Sequence, residues 1–158
     1  MKFIDLLGNE IEFECLGCDV ARHKLIPPGE YVYEDDFINV SADPEIPIPG
    51  FMVLGIKKHV RTMNELSKEE RYRIIDILNL TIENIKECEI ANKVLVIQEE
   101  RSRHFHIWIV PIHEWMKEYG ESVKNIDKII EHSKEIFNEK IKEELLEDVD
   151  KLRESFKE

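Results

Sequence analysis

The stretch Arg103-His104-Phe105-His106-Ile107-Trp108-Ile109-Val110-Pro111 decides the fold of this chain. Polar-capable and apolar side chains alternate along it, and this period of two predicts a half-buried strand that ends at the proline. Because residues two apart share a face of a strand, His104, His106 and Trp108 are expected on one side. The residues expected to face a core on the other side are Phe105, Ile107 and Ile109.

The composition limits the classes of partner. A length of 158 residues suits one domain, and no run of apolar residues is long enough for a membrane span or a signal peptide. A net charge of -12 repels a polyanionic duplex but leaves room for a small phosphate ligand in a local pocket. We therefore expect a cytoplasmic protein with neither a membrane partner nor an extended nucleic-acid partner.

The three cysteines cannot all pair with one another. Cys15 and Cys18 form a Cys-x-x-Cys, which in a cytosolic chain indicates metal binding or redox chemistry before a structural disulfide. The spacing alone leaves these two possibilities open.

The amino-terminal half reads as short strands. Residues 3–7 and 10–14 flank Gly8-Asn9, which predicts a two-residue hairpin, and residues 31–34 and 37–40 predict a second hairpin. A short helix is expected over residues 19–24. A rigid proline-rich loop is expected over 42–50, before an apolar strand at 51–56.

The remaining chain alternates helix and strand signals. A capping box at residues 67–70 and apolar residues at helical spacing predict a helix to about residue 88, followed by a buried strand over 94–97. From residue 122 onward an apolar stripe predicts a long amphipathic helix. About 35 residues at 1.5 Å each exceed the length of the domain, so this helix either breaks once or reaches a partner.

Several linked motifs give the chain a family resemblance. They are the Cys-x-x-Cys at 15–18, Val-Tyr-Glu-Asp-Asp at 32–36, the Asp43 to Gly50 loop, Lys-Lys-His at 57–59 and His-x-His-x-Trp-x-x-Pro at 104–111. Their order and spacing over residues 14–113 resemble the histidine triad (HIT) superfamily of nucleotide hydrolases and transferases, in its zinc-containing branch.

The resemblance implies an α+β fold. It has a mostly antiparallel sheet of about five strands, one long packed helix and a homodimeric assembly. We expect a HIT-like domain over residues 1–115 and a carboxy-terminal helical extension over 116–158.

The resemblance also assigns roles. The middle histidine of the triad attacks the α-phosphorus of a nucleotide and becomes nucleotidylated, which here identifies His106 as the nucleophile. The loop aspartate binds the ribose hydroxyls, a role that falls to Asp43. Phe37 and Ile38 are plausible walls for a base, although they fit an ordinary core equally well.

In the zinc-containing branch, four residues hold a structural zinc ion. The matching positions here are Cys15, Cys18, His59 and His104. Two thiolates and two imidazoles complete a tetrahedral site with no open position, which makes a zinc ion there structural rather than catalytic.

Two departures from the family pattern bear on the substrate. Trp108 stands where most relatives have the third histidine, and its indole can donate to a phosphate oxygen or stack on a base but cannot protonate a leaving group. The segment 99–103 replaces a glycine-containing loop, so Arg101, Ser102 and Arg103 either supply phosphate contacts or, for the arginines, pair with local acids.

Three functions follow from these features. The first is a zinc-containing hydrolase or nucleotidyltransferase that cleaves a dinucleoside polyphosphate or a related nucleotide conjugate through His106. The second is a catalytically silent nucleotide-binding or scaffold protein that keeps the zinc, which Trp108 favours. The third is a Cys-x-x-Cys redox protein, although His59 and His104 explain the two cysteines better as metal ligands.

Overall fold

The computed structural model describes all 158 residues as seven strands, four α-helices and three short 3-10 helices. The strands are β1 (Lys2–Ile4), β2 (Glu10–Glu12), β3 (Tyr33–Glu34), β4 (Ile38–Ala42), β5 (Met52–Ile56), β6 (Val94–Gln98) and β7 (His106–Pro111). The helices are α1 (Leu16–Ala21), α2 (Lys68–Glu87), α3 (Ile126–Ile136) and α4 (Glu139–Phe156). The 3-10 helices span Met63–Glu65, Glu114–Tyr119 and Val123–Asn125.

Five strands form the central sheet in the order β3-β4-β5-β7-β6, and every neighbouring pair is antiparallel. The first two strands form a separate antiparallel hairpin. The predicted α+β class, with a five-stranded antiparallel sheet and one long packed helix, is confirmed.

One face of the sheet carries the main core. Val40, Leu54 and Ile107 are register partners across β4, β5 and β7, and all are buried in this core. Helices α2 and α4 cover the face through residues such as Ile74 and Val149. The predicted core positions of β7 are confirmed, because Phe105, Ile107 and Ile109 all lie here.

The other face carries a second, smaller core. Val53, Trp108 and Ile97 are register partners across β5, β7 and β6, and they pack against it from the sheet. Its buried members come from residues 46–51, from β7 and the chain after it, and from α3; they are Ile46, Ile48, Phe51, Val110, Ile112, Met116, Ile126 and Ile129. This core covers part of the face that carries His106.

Helix α2 begins as the sequence predicts. Ser67 Oγ accepts a hydrogen bond from the Glu70 amide at 3.2 Å, and the Ser67 amide donates to Glu70 Oε1 at 2.9 Å. This reciprocal capping box satisfies two amide groups that would otherwise lack partners at the helix start.

Two local predictions near the amino terminus need correction. The first hairpin turns through residues 5–9 rather than through Gly8-Asn9 alone, because Asp5 Oδ1 accepts from the amides of Leu7 and Asn9. Helix α1 covers Leu16–Ala21 instead of residues 19–24, because Cys15 takes the N-cap position and accepts from the Cys18 amide.

Two strand predictions also need correction. The strand predicted from Arg103 begins only at His106, since residues 101–104 bend before it. The strand predicted as buried, β6, lies at the edge of the sheet with one neighbour, and Val96 is 46% exposed there.

The long helix predicted at the carboxy terminus breaks once, which was one of the two predicted alternatives. Phe137 adopts an extended conformation after α3, and Asn138 caps α4 by accepting a hydrogen bond from the Ile141 amide at 2.9 Å. Leu145, Val149 and Leu152 of α4 are members of the main core.

None of the helices combines the length and the apolar character needed to cross a membrane.

Candidate active site and metal cluster

Two cysteines and two histidines converge on one point from three parts of the chain. Cys15 and Cys18 lie at the start of α1, His59 follows β5, and His104 precedes β7. Their ligand atoms all lie within 4.8 Å of one another. The four residues that the zinc prediction named are therefore brought together.

The distances test whether zinc fits. A tetrahedral ion with bonds of about 2.3 Å to sulfur and about 2.0–2.1 Å to nitrogen places sulfur and nitrogen about 3.6 Å apart. Sγ of Cys18 lies 3.2 Å from His59 Nδ1 and 3.5 Å from His104 Nδ1, and the corresponding distances from Cys15 are 3.4 and 3.5 Å. The donor set and its spacing are compatible with zinc.

The buried histidine of the cluster is held in the tautomer that a metal needs. His104 Nε2 donates a hydrogen bond to the carbonyl oxygen of Ile56 at 2.5 Å, so a neutral ring presents an unprotonated Nδ1 to the cysteines. Burial lowers the pKa of His104 and favours this neutral form. Burial and the neighbouring Cys15 raise the pKa of the Cys18 thiol.

Gly17 explains how the cysteine loop approaches the histidine. A Cβ atom at this position would lie 2.4 Å from Cγ of His104, closer than real side chains approach. Only glycine therefore lets the Cys15–Cys18 turn lie against the imidazole. This requirement follows from the packing and not from the Cys-x-x-Cys spacing.

His106 is the first residue of β7, two residues after the cluster residue His104. Its Nδ1 is 3.0 Å from the carbonyl oxygen of His104 and 3.2 Å from Oγ of Ser102. A carbonyl only accepts, so Nδ1 carries the proton in the neutral ring and Nε2 carries the free lone pair. The half-buried ring thus offers a nucleophilic nitrogen.

Asp43 lies at the end of β4, in the proline-rich loop. Its Oδ1 accepts from the amides of Glu45 at 2.8 Å and Ile46 at 3.0 Å, which leaves Oδ2 without a partner in the protein. Burial raises the pKa of Asp43, while the two amides act in the opposite direction. A positive charge on the nearby His106 ring would also lower the pKa of Asp43.

Two buried polar residues beside this site were missed from the sequence. Asn39 and Ser41 lie on β4, each 4% exposed, and their side chains make no hydrogen bond within the protein. They alternate with the core residues Ile38 and Val40. The sequence signal that could have revealed them is this alternation, because Asn39, Ser41 and Asp43 are each two residues apart.

Trp108 is built into the second core. Its ring meets that of Phe51 edge-on with 5.5 Å between centroids, and it lies 6.3 Å from the ring of His106. The indole N–H makes no hydrogen bond within the protein. Packing holds the ring in place, and its only polar group remains available.

In the segment before β7, Ser102 and Arg101 make different kinds of contact. Ser102 Oγ donates to the carbonyl oxygen of His104 at 2.8 Å and so supports the bend that carries both histidines. Arg101 pairs with Glu99 at 2.8 Å and lies 3.7 Å from Asp127, as the alternative of pairing with local acids predicted.

Phe37 and Ile38 lie in the main core. Their exposed fractions are 6% and 0%, and the guanidinium of Arg73 lies over the Phe37 ring. The packing matches the alternative of an ordinary core and does not favour their predicted role as walls for a base.

Comparisons with known proteins identify the fold. No protein-family model matches the sequence, and no curated protein matches it. The structure is similar to a HIT-like protein involved in cell-cycle regulation from Bartonella henselae, with a TM-score of 0.64 and 21% identity over 92% of this chain and 98% of that one.

Two further solved structures agree. One is a hypothetical histidine triad nucleotide-binding protein from Sulfolobus tokodaii, with a TM-score of 0.62 and 19% identity over 90% of this chain and 92% of that one. The other is a zinc-bound histidine triad family protein from Mycobacterium smegmatis, with a TM-score of 0.61 and 14% identity over 88% and 95%. This chain therefore has the HIT-like fold.

Proposed function

We propose that this chain is a zinc-containing member of the HIT superfamily that cleaves a nucleotide conjugate at its α-phosphorus. The observation that carries the proposal is the hydrogen bond from His106 Nδ1 to the carbonyl oxygen of His104. It selects the tautomer in which Nε2 can attack phosphorus. A neutral imidazole is a suitable nucleophile near neutral pH.

The reaction has two displacements. In the first, Nε2 of His106 forms a bond to the α-phosphorus, and the bond from phosphorus to the leaving-group oxygen breaks with its electron pair. In the second, water attacks the same phosphorus, the phosphorus–nitrogen bond breaks, and a nucleoside monophosphate leaves while the water loses a proton to solvent. An acceptor hydroxyl in place of water makes the reaction a transfer.

Trp108 restricts the leaving group. Its indole has one N–H and no titratable proton, so it can contact a phosphate oxygen but cannot serve as a general acid. A polyphosphate leaves as an anion and needs no such proton, unlike an amine. A dinucleoside polyphosphate is therefore a better candidate substrate than a phosphoramidate.

The other site residues are assigned roles from the polar groups that have no partner within the protein. Asp43 accepts from the ribose hydroxyls through Oδ2, and the free indole N–H of Trp108 faces the phosphate beside His106. Ser102 donates its only proton to the His104 carbonyl, so it supports the bend and would contact the phosphate only by giving up that bond. Arg101 reaches the phosphate only if it leaves Glu99, and Phe37 and Ile38 support the sheet beneath.

A zinc ion held by Cys15, Cys18, His59 and His104 would cross-link α1 to the segment before β7. It would take no part at the phosphorus, because all four of its positions are filled by protein ligands. By fixing His104, it would hold the carbonyl group that orients His106.

The test uses diadenosine tetraphosphate and the variant His106→Asn. We expect turnover to fall by about a thousandfold or more while the affinity for AMP is kept, because removing a nucleophile has effects of that order. The matched control is His132→Asn, a histidine of α3 outside the site. Denatured wild-type protein quenched during turnover should carry an AMP adduct, and unchanged turnover in the His106 variant would refute the mechanism.

A catalytically silent nucleotide-binding or scaffold protein is the second candidate. The packing of Trp108 against Phe51 favours it, since this position serves the second core. Tight AMP binding without turnover of any dinucleoside polyphosphate, and without an adduct on His106, would select it over the enzyme.

The predicted homodimer has a candidate surface. Tyr72 and Ile75 on α2 are 59% and 51% exposed, and Val96 is exposed on the unpaired edge of β6. Exposed apolar side chains and an open strand edge are both features suited to contact with a second copy. Sedimentation of the wild type and of Val96→Lys tests this: the variant should be monomeric where the wild type is dimeric.

A further inference from the structure

A strip of polar side chains runs along β4 on the face that carries His106. Asn39, Ser41 and Asp43 occupy alternate positions, and Asn39 and Ser41 are nine-tenths buried or more. We refer to these three residues as the β4 polar strip. The residues between them belong to the main core on the other face of the sheet.

Buried polar groups in folded proteins nearly always have hydrogen-bond partners. The side chains of Asn39 and Ser41 have no such partner within this protein. Their polar atoms are nevertheless not fully buried, so the small exposed surface of these residues includes those atoms. The carboxamide of Asn39 therefore offers two donors and an acceptor to a ligand that enters the site.

The sheet register sets Asn39 in the same row as the nucleophile, two strands away. Asn39 pairs with Gly55 on β5, and Gly55 pairs with His106 on β7, so one row crosses the three strands. Gly55 has no side chain between them, and a Cβ there would lie 3.1 Å from Oδ1 of Asn39. The carboxamide of Asn39 therefore lies over Gly55, toward the strand that carries His106.

The register is compatible with the following arrangement of a nucleotide. With the ribose on Asp43 and the phosphorus at Nε2 of His106 on β7, the base can lie along β4 over Ser41 and Asn39. A phosphate oxygen only accepts, so it would satisfy the Asn39 donors and leave Oδ1 unpaired. A base edge with an adjacent donor and acceptor satisfies both groups of the carboxamide, as asparagine does with adenine.

We propose that Asn39, supported by Ser41, selects the nucleobase by hydrogen bonding to its edge. This inference rests on the proposed function, since it places the ribose on Asp43 and the phosphate on His106. It adds a specificity-determining residue that would make the protein discriminate between bases rather than accept any base that stacks.

The experiment measures binding of AMP, GMP, CMP, UMP and ribose 5-phosphate to the full chain by calorimetry. We expect the wild type to bind its preferred nucleotide about tenfold or more tightly than the least preferred one, the range of a good bidentate contact. In Asn39→Leu, which keeps the side-chain size, this ratio should fall close to one. The affinity for ribose 5-phosphate should stay within about twofold of the wild type.

The matched control is Asn79→Leu, the same replacement at an exposed position of α2, which should keep the base preference. Should Asn39→Leu fail to fold by circular dichroism, Asn39→Asp keeps the shape but removes the donors. It should lower the affinity for the preferred nucleotide by about tenfold.

The outcomes separate this inference from the proposed function. Nucleotide binding without base preference, or a preference that survives both Asn39 variants, overturns the inference alone. Asp43→Ala should weaken all five ligands alike, because it acts on the ribose. Failure of the wild type to bind any of the five overturns the proposed function and the inference together.

Discussion

The metal cluster and the β4 polar strip differ in whether their polar atoms have partners within the protein. In the cluster, four ligand atoms from three parts of the chain converge within 4.8 Å, and His104 is also held by a backbone carbonyl. In the strip, Asn39 and Ser41 are each 4% exposed, as His104 is, but their side chains have no partner within the protein. A permanently bound ion needs converging ligands, whereas an exchangeable ligand needs groups left free for it.

The largest effect should come from breaking the cluster. Cys18→Ser removes one thiolate, and because a structural zinc site stabilises the folded state by up to about 10 kcal/mol, we expect the melting temperature to fall by more than about 10 °C. Zinc measured by atomic absorption should fall from one ion per chain to well below one.

The control for this change is Cys88→Ser, which replaces the cysteine outside the cluster. It should keep the zinc, and incubation with a chelator should lower its melting temperature as it does for the wild type. A Cys18→Ser protein that retains both zinc and stability would show that the cluster is not a metal site.

Gly17→Ala tests how closely the cysteine loop must approach His104. The new Cβ would overlap a buried ring that Ile56 prevents from moving, so we expect a loss of about 2 kcal/mol in free energy of unfolding. Zinc affinity should fall about tenfold or more, measured by competition with a chromophoric chelator. Unchanged values for both would mean that the loop has room to shift.

Asp148 shows how an unpaired buried polar group lowers the stability of the folded state where no ligand is expected. This carboxyl on α4 makes no hydrogen bond, and burial, with Glu144 and Glu147 adding to it and Lys151 opposing it, raises its pKa to about 6. The folded state therefore binds the proton more tightly than the unfolded state. Stability should fall as the pH rises from about 4 to about 6.

Asp148→Asn removes this charge, so it should raise the free energy of unfolding by about 1 kcal/mol at pH 7, a value reduced for partial solvent screening. The gain should disappear below about pH 4, where the wild-type carboxyl is protonated in both states. Urea denaturation at pH 4 and pH 7 measures it, with the exposed Asp76→Asn as control. An equal gain at both pH values would contradict the assignment.

The smallest effect is expected at the third triad position. Trp108→Phe keeps an aromatic ring against Phe51 but removes the free indole N–H, so the Kd for AMP should rise about fivefold. Isothermal titration measures it. An unchanged Kd together with a lower melting temperature would assign Trp108 to packing alone, as in the silent candidate.

Local periodicity accounts for what was predicted well. The alternation in residues 103–111 sorted the side chains of β7 between two faces, and the capping box placed the start of α2, because both depend on neighbours in the chain. The hairpin loop at Asp5 and the start of α1 at Cys15 were misplaced because single side chains capture nearby amides there.

The sequence by itself determined the residue types at the site: the cysteine pair, the two histidines, the loop aspartate and the tryptophan. Only the tertiary structure decided which of their atoms have partners. The register neighbour of Asn39 is Gly55, which has no side chain to bond with it. Trp108 is packed because residues around 46–51 and 126–129 contact the same core. Hydrogen-bond satisfaction and packing depend on neighbours in space, which a linear pattern does not specify.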